Sequence, residues 1–99
     1  MNLYLITQDE KDGYDTYDSA VVSAASEEDA CKVSPSSFYA WQDGPKAGWY
    51  FKYSDGSERL ESDGRYDWGL PGNVTAKLIG TALDGTQAGE VICASFNAG

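Results

Sequence analysis

Five carboxylates around Gly13 form the first group of residues whose types and spacing could do chemistry. They are Asp9, Glu10, Asp12, Asp15 and Asp18. An EF-hand calcium loop aligned on Gly13 would begin at Gln8 and place Ser19 where the bidentate Glu belongs, so the match fails. Three interpretations stay open: weak divalent-metal binding, a solvated acidic turn, and an acidic surface that binds a partner. We assign no metal ligand here.

A second group of carboxylates lies around the next predicted hairpin. It comprises Asp55, Glu58, Glu61, Asp63 and Asp67, with Tyr66 and Trp68 beside it. Residues two apart on a strand lie ~6.6 Å from each other on one face, which is similar to the spacing of nucleic-acid phosphates. We therefore interpret both groups as candidate partner-binding surfaces that imitate nucleic-acid charge. Tyr66 and Trp68 are candidate interface anchors, and the alternative is that they close the edge of a small core.

Catalytic candidates are few because the chain contains no His. An enzyme would need a carboxylate pair, a Lys, a Tyr or a thiolate as its acid or base. Cys31 lies just inside a predicted helix, where a thiolate is stabilised, but no general base accompanies it. Cys31 and Cys93 without His do not make an ordinary zinc site, and we expect both to be reduced. No phosphate-binding or dinucleotide-binding glycine motif occurs. We predict a protein that is not an enzyme and needs no cofactor.

The overall charge favours one class of partner. Sixteen Asp and Glu stand against seven Lys and Arg, which gives a net charge of −9. Such a charge repels nucleic acid and anionic membranes and attracts basic protein surfaces. The charge is uneven: it is −7 over residues 1–30, +2 over 31–53 and −3 over 54–68. We expect a basic protein surface as the partner, and neither direct nucleic-acid binding nor membrane binding.

Alternation of apolar residues and turn signals predicts the elements that would position these side chains. We predict strands at 3–7, 17–25, 47–53, 58–61, 74–82 and 90–96, and a helix at 27–33. Ser26 supplies a capping hydroxyl for the helix, and Pro35 ends it. Residues 36–48 fit either a short helix or a packed loop. The segments 3–7 and 17–25 are expected to form a hairpin.

These elements predict an α+β fold, in which a small antiparallel sheet of about five or six strands, in the order β-β-α-β-β-β-β, carries one short helix on one face. We expect the last two strands to form a hairpin and the N- and C-terminal strands to be central. The aromatic hairpin 47–61 would lie at an edge or project from the body. Residues 1–99 would form a single domain, with 36–68 as an aromatic and acidic insertion.

The location of the protein is predicted from its N-terminus and hydropathy. Residues 1–6 lack the basic segment and long apolar segment of a secretion signal. No stretch approaches the ~20 apolar residues that span a bilayer. We therefore predict a cytoplasmic protein.

Two segments resemble a group of short proteins from phages and bacterial mobile elements. They are GYDTYDSAVV at residues 13–22 and VICASFNAG at 91–99. Acidic phage proteins of this size resemble, in size and charge only, the anti-CRISPR and other counter-defence inhibitors, several of which occupy nucleic-acid channels. The resemblance implies a non-enzymatic inhibitor that contacts a basic, nucleic-acid-binding surface of a defence complex in the host cytoplasm.

Two other classes of function stay open. One is a small-ligand or divalent-metal binding domain with its pocket between the sheet and the aromatic middle segment. The other is a homo-oligomeric structural or regulatory protein, in which the aromatic hairpin pairs across a two-fold axis to form a homodimer.

Overall fold

A computed structural model describes residues 1–8, 16–36, 38–60 and 68–97. Seven strands and one short helix lie in these ranges. They are β1 (Asn2–Gln8), β2 (Thr16–Ala24), α1 (Glu27–Ala30), β3 (Tyr39–Gln42), β4 (Gly48–Lys52), β5 (Glu58–Leu60), β6 (Val74–Thr81) and β7 (Val91–Asn97), with a 3₁₀ turn at Pro71–Asn73. The predominance of antiparallel strands with one short helix confirms the small α+β class.

The first sheet contains four antiparallel strands in the order β6-β1-β2-β7. β1 and β2 are central and pair with Leu5 opposite Val21, which confirms the predicted N-terminal hairpin pairing. Successive side chains of a strand alternate between the two faces of a sheet. The even-numbered residues Tyr4, Ile6, Ala20 and Val22 are accordingly buried on one face. That face carries the core of the protein.

The predicted C-terminal hairpin is wrong, because β6 and β7 lie at opposite edges of the first sheet. β6 pairs with β1 and β7 pairs with β2, so the C-terminal strand is not central. The connection 82–90 crosses the end of the sheet: Ala82 N donates to Met1 O at 2.9 Å and Gly89 N donates to Ser23 O at 2.8 Å. This connection is long enough to cross three inter-strand spacings of ~4.8 Å each.

A second sheet, in the order β3-β4-β5, replaces the single sheet that we predicted. β3 comes from the stretch that the sequence left unassigned. It supplies aromatic partners to β4: Trp41 lies opposite Trp49 with ring centroids 5.3 Å apart, and Tyr39 lies opposite Phe51 at 5.4 Å. Edge-to-face pairs of this kind contribute about 0.5–1.5 kcal/mol each beyond area burial. The predicted β4–β5 hairpin is present.

Helix α1 is shorter than predicted and ends at Ala30 rather than Val33. Its predicted cap is present, because Asp29 N donates to Ser26 Oγ at 3.2 Å. The following residues tighten into turns, in which Lys32 N donates to Asp29 O and Val33 N donates to Ala30 O. The helix packs on the first sheet and buries Ala30 in the core. Its acidic side chains therefore face away from the core.

Two tryptophans complete the core between the sheets. Trp49 and Trp68 are each 1% exposed and pack with the apolar face of the first sheet. Trp49 Nε1 donates to Gly69 O at 3.0 Å, which anchors β4 to the segment before β6. Within the described ranges, no helix has the length and apolar character needed to cross a bilayer.

Candidate functional site

Helix α1 and the β3–β4 connection carry an acidic surface, formed by Glu27, Glu28, Asp29 and Asp43. All four side chains belong to exposed residues. Glu27, Glu28 and Asp29 occupy the first turn of α1, where carboxylates interact favourably with the partly positive helix end. Their local role explains the helix start, and their exposure leaves them accessible to a partner. We call these four residues the α1 acidic surface.

Lys32 joins the two parts of the α1 acidic surface. Its Nζ lies 3.6 Å from Glu28 Oε1 and 3.4 Å from Asp43 Oδ1. The hydrogen bond with Asp43 is the main cause that raises the pKa of Lys32. Trp41 Nε1 donates to Asp43 at 2.9 Å, and this bond, followed by the interaction with Lys32, lowers the pKa of Asp43. Both groups therefore stay charged near neutral pH.

The carboxylates singled out from the sequence lie only partly within the described residues. Eight of the predicted site residues lie outside the described residues: Asp9, Glu10, Asp12, Asp15, Glu61, Asp63, Tyr66 and Asp67. Asp18, Asp55 and Glu58 are described, and all three are exposed. Asp18 is on the first sheet, whereas Asp55 and Glu58 are on the second sheet and its turn.

Each of these three carboxylates has a defined local setting. Asp18 lies where the pairing of β2 with β7 shifts register, and such bulges re-aim a side chain. Asp55 accepts hydrogen bonds from the Oγ of Ser57 at 2.6 Å and from its N at 2.9 Å, which lowers the pKa of Asp55. Gly56 follows with φ at 90°, a conformation that favours glycine. Glu58 accepts a hydrogen bond from Gln42.

Trp68 does not lie at the surface as an interface anchor. It is 1% exposed and belongs to the core. This position agrees with the alternative prediction, in which Trp68 closes the edge of a small core. Its indole Nε1 has no hydrogen-bond partner among the described residues. A buried donor without an acceptor costs about 1–3 kcal/mol, and the packing of the large ring offsets this cost. Phe38, at 60%, and Tyr53, at 40%, are instead exposed aromatic residues of the described ranges.

A groove of about 590 Å³ lies next to the α1 acidic surface, between the first sheet and the segment 32–41. Tyr17 and Val91 line it from the first sheet, and aromatic residues of the segment line the other side. No carboxylate is among the described residues that line this inter-sheet groove. The sequence carried one signal for it, the aromatic stretch of positive charge over 31–53, although the sequence could not show which residues converge.

Cys31 and Cys93 are both free thiols. Cys31 is half-buried, and its Sγ donates to Val74 O at 3.4 Å. Burial, and next the charge of Glu27, raises the pKa of the Cys31 thiol, so it stays protonated near neutral pH. Cys93 is exposed on β7. No group of three or more metal-binding side chains converges within the described part of the chain.

No protein-family model, no curated protein and no solved structure matches this chain. The likeness of its two end segments to phage proteins stays a prediction. Function is therefore inferred from the residues of the α1 acidic surface and its surroundings.

Proposed function

We propose that this protein is a non-enzymatic binding protein whose acidic surface docks on a basic protein surface. The observation that carries the proposal is the excess of negative charge at the α1 acidic surface. Lys32 forms ion pairs with two of its four carboxylates, those of Glu28 and Asp43. Glu27 and Asp29 have no ion pair within the described part of the chain. Four carboxylates against one ammonium group leave this surface strongly negative and exposed to solvent.

The chemistry of the partner follows from this imbalance. Clustered carboxylates raise the rate of encounter with positively charged surfaces, and proteins that hold nucleic-acid phosphates present such surfaces. The chain has no His, so its charge hardly changes between about pH 6 and pH 8. We propose that the partner is a basic, nucleic-acid-binding protein in the cytoplasm. More specifically, we propose that the partner belongs to a host defence complex, which this protein inhibits.

A capture experiment tests the proposal. The immobilised full chain is incubated with bacterial lysate, and bound proteins are eluted with salt rising from ~50 mM to ~500 mM, where exposed charges are strongly screened. We expect nucleic-acid-binding proteins to elute in this range and to be displaced by short duplex DNA. Proteins that resist both salt and DNA would contradict the proposal.

Two variants with equal charge change sharpen this experiment. E27Q/E28Q removes two carboxylates from the α1 acidic surface and keeps the capping residues. D55N/E58Q removes two from the second sheet. If the α1 acidic surface docks, E27Q/E28Q releases the partner at lower salt than D55N/E58Q. Equal behaviour of the two variants would mean that net charge alone, rather than this surface, holds the partner.

A further inference from the structure

The inter-sheet groove has the size of a small-molecule site. Its volume is about 590 Å³, and clefts that bind ligands typically measure ~300–1,000 Å³. Tyr17 and Val91 form one wall and Phe38, Tyr39 and Trp41 contribute to the other. A cleft lined mainly by aromatic and apolar side chains with a few polar groups is the usual form of such a site.

An exposed ring in this groove is available for stacking. Phe38 is 60% exposed although it is fully apolar. Phe51 covers one face of its ring, with centroids 6.0 Å apart and planes at 14°. Because aromatic rings stack in offset parallel arrangements, the other ring face of Phe38 can receive a planar ring from a ligand.

The polar side chains that line the groove include two lysines and two serine hydroxyls, although the protein is strongly acidic. Lys32 and Lys52 line it, and Lys52 has no ion pair within the described part of the chain. Ser34 and Ser36 also line it, and both are buried. Among the described lining residues there is no carboxylate to repel an anion.

The two serine hydroxyls have donors to spare. Ser34 Oγ accepts from Ser36 N at 3.1 Å, and Ser36 Oγ accepts from Phe38 N at 3.3 Å. Neither hydroxyl donates its own proton to an acceptor in the described residues. A hydroxyl is both a donor and an acceptor, so each can still donate to an anionic oxygen.

We propose that the inter-sheet groove binds a small molecule that combines one planar aromatic ring system with one anionic group, such as a phosphate, sulfonate or carboxylate. The ring lies against Phe38, and the anionic group lies near Lys52 and the hydroxyls of Ser34 and Ser36. This site is separate from the docking surface of the proposed function, and neither depends on the other.

Amide NMR titration of the full ¹⁵N-labelled chain tests this proposal. AMP and 1-naphthoate are the two probes, one for a nucleotide and one for an aryl acid. Adenosine, which has the aromatic ring system but no anionic group, and ribose 5-phosphate, which has the anionic group but no aromatic ring, are the controls. We expect at least one probe to shift the amides of groove residues, among them Ser36, Phe38 and Lys52, with a Kd below ~1 mM. That probe should bind at least ~10-fold more tightly than either control.

Two variants and one control variant connect the binding to the groove. K52Q removes the lysine that has no ion pair in the described part of the chain, and F38L removes the aromatic ring while keeping an apolar side chain. Each should weaken the probe by at least ~3-fold. K77Q, on β6 outside the groove, makes the same charge change and should leave the affinity unaltered. A dispersed amide spectrum verifies that each variant is folded.

Three results would overturn the proposal. The first is no saturable shift with either probe up to ~5 mM, a concentration that detects even weak binding. The second is binding that K52Q and F38L leave unchanged. The third is equal affinity for the probes and for the control that lacks the anionic group. Binding of AMP alone identifies a nucleotide as the ligand source, binding of 1-naphthoate alone identifies an aryl acid, and both support the proposal.

Discussion

The α1 acidic surface and the inter-sheet groove are neighbours with opposite chemistry. Lys32 and Trp41 connect the two regions, because both line the groove and both contact Asp43 of the surface. The surface consists of exposed carboxylates, whereas the described lining of the groove includes aromatic rings, hydroxyls and lysines. The chain as a whole has a net charge of −9, but the charged side chains among the described residues that line the groove are lysines.

The largest expected effect is on the part of the core that positions both regions. Trp49 is 1% exposed and pairs with Trp41, so it supports β3 beneath the surface and the groove alike. Trp49→Ala should lower the free energy of unfolding by about 3–5 kcal/mol, because a large cavity opens in the core. Urea unfolding followed by circular dichroism measures this loss. A loss below about 1 kcal/mol would mean that Trp49 does not hold the two regions together.

A smaller effect distinguishes the two buried tryptophans. Trp49→Phe leaves Gly69 O without its hydrogen bond, whereas Trp68→Phe removes a donor that has no acceptor among the described residues. Trp49→Phe should therefore cost about 1–3 kcal/mol more than Trp68→Phe. The two unfolding curves, recorded at pH 7 in urea, measure the difference. Equal losses would contradict the role given to the hydrogen bond between Trp49 and Gly69.

The smallest effect concerns the contact at which the surface and the groove meet. The pKa of Asp43 is lowered by Trp41 and Lys32. A lowered carboxyl pKa stabilises the fold above the ordinary value of about 3.9 and loses this contribution as pH falls through the lowered value. D43N should therefore lower the melting temperature slightly at pH 7, and this difference should shrink as the pH falls below about 4.

Asp84 provides the control for D43N. It is exposed, and its carboxylate has no hydrogen bond or ion pair in the described part of the chain. D84N makes the same chemical change without breaking a contact, so its effect on the melting temperature should be smaller at pH 7. If D43N and D84N gave the same melting temperature at every pH, the contact of Asp43 with Lys32 and Trp41 would not contribute to stability.

Local patterns were sufficient to predict most of the individual strands. The alternation in β1, β2 and β4 and the turn at Gly56 are properties of a few adjacent residues, and they gave boundaries close to those observed. The capping residue Ser26 was equally readable. The helix end was placed too late, since residues 31–33 continue as turns rather than as helix.

Pairing between distant segments could not be predicted in the same way. The turn signals after β6 suit either a hairpin or a longer crossing connection, and only the need of β1 for a second partner decides between them. The aromatic run that forms β3 is too short to show a periodicity. Burial of Trp68 depends on the packing of both sheets, which its neighbours in sequence do not reveal.

The candidate site shows the same division. The run of acids at α1 was visible in the sequence, but its favourable position in the first helical turn explained it without a partner-binding role. Asp43 joins this surface only through Lys32 and the fold. The groove combines Tyr17, Ser34, Lys52 and Val91 from distant parts of the chain. These residues come together only in the folded chain, so the sequence could not show that they line one groove.

Binding of a cationic peptide tests most directly whether the acidic surface and the groove act separately. A short arginine-rich peptide is titrated into the ¹⁵N-labelled chain at low salt, where exposed charges interact most strongly. We predict saturable shifts at the amides of Glu27, Glu28 and Asp43, with those of Ser36, Phe38 and Lys52 unshifted, and a loss of the effect at ~0.5 M salt. Shifts at the groove residues, or none at α1, would contradict this account.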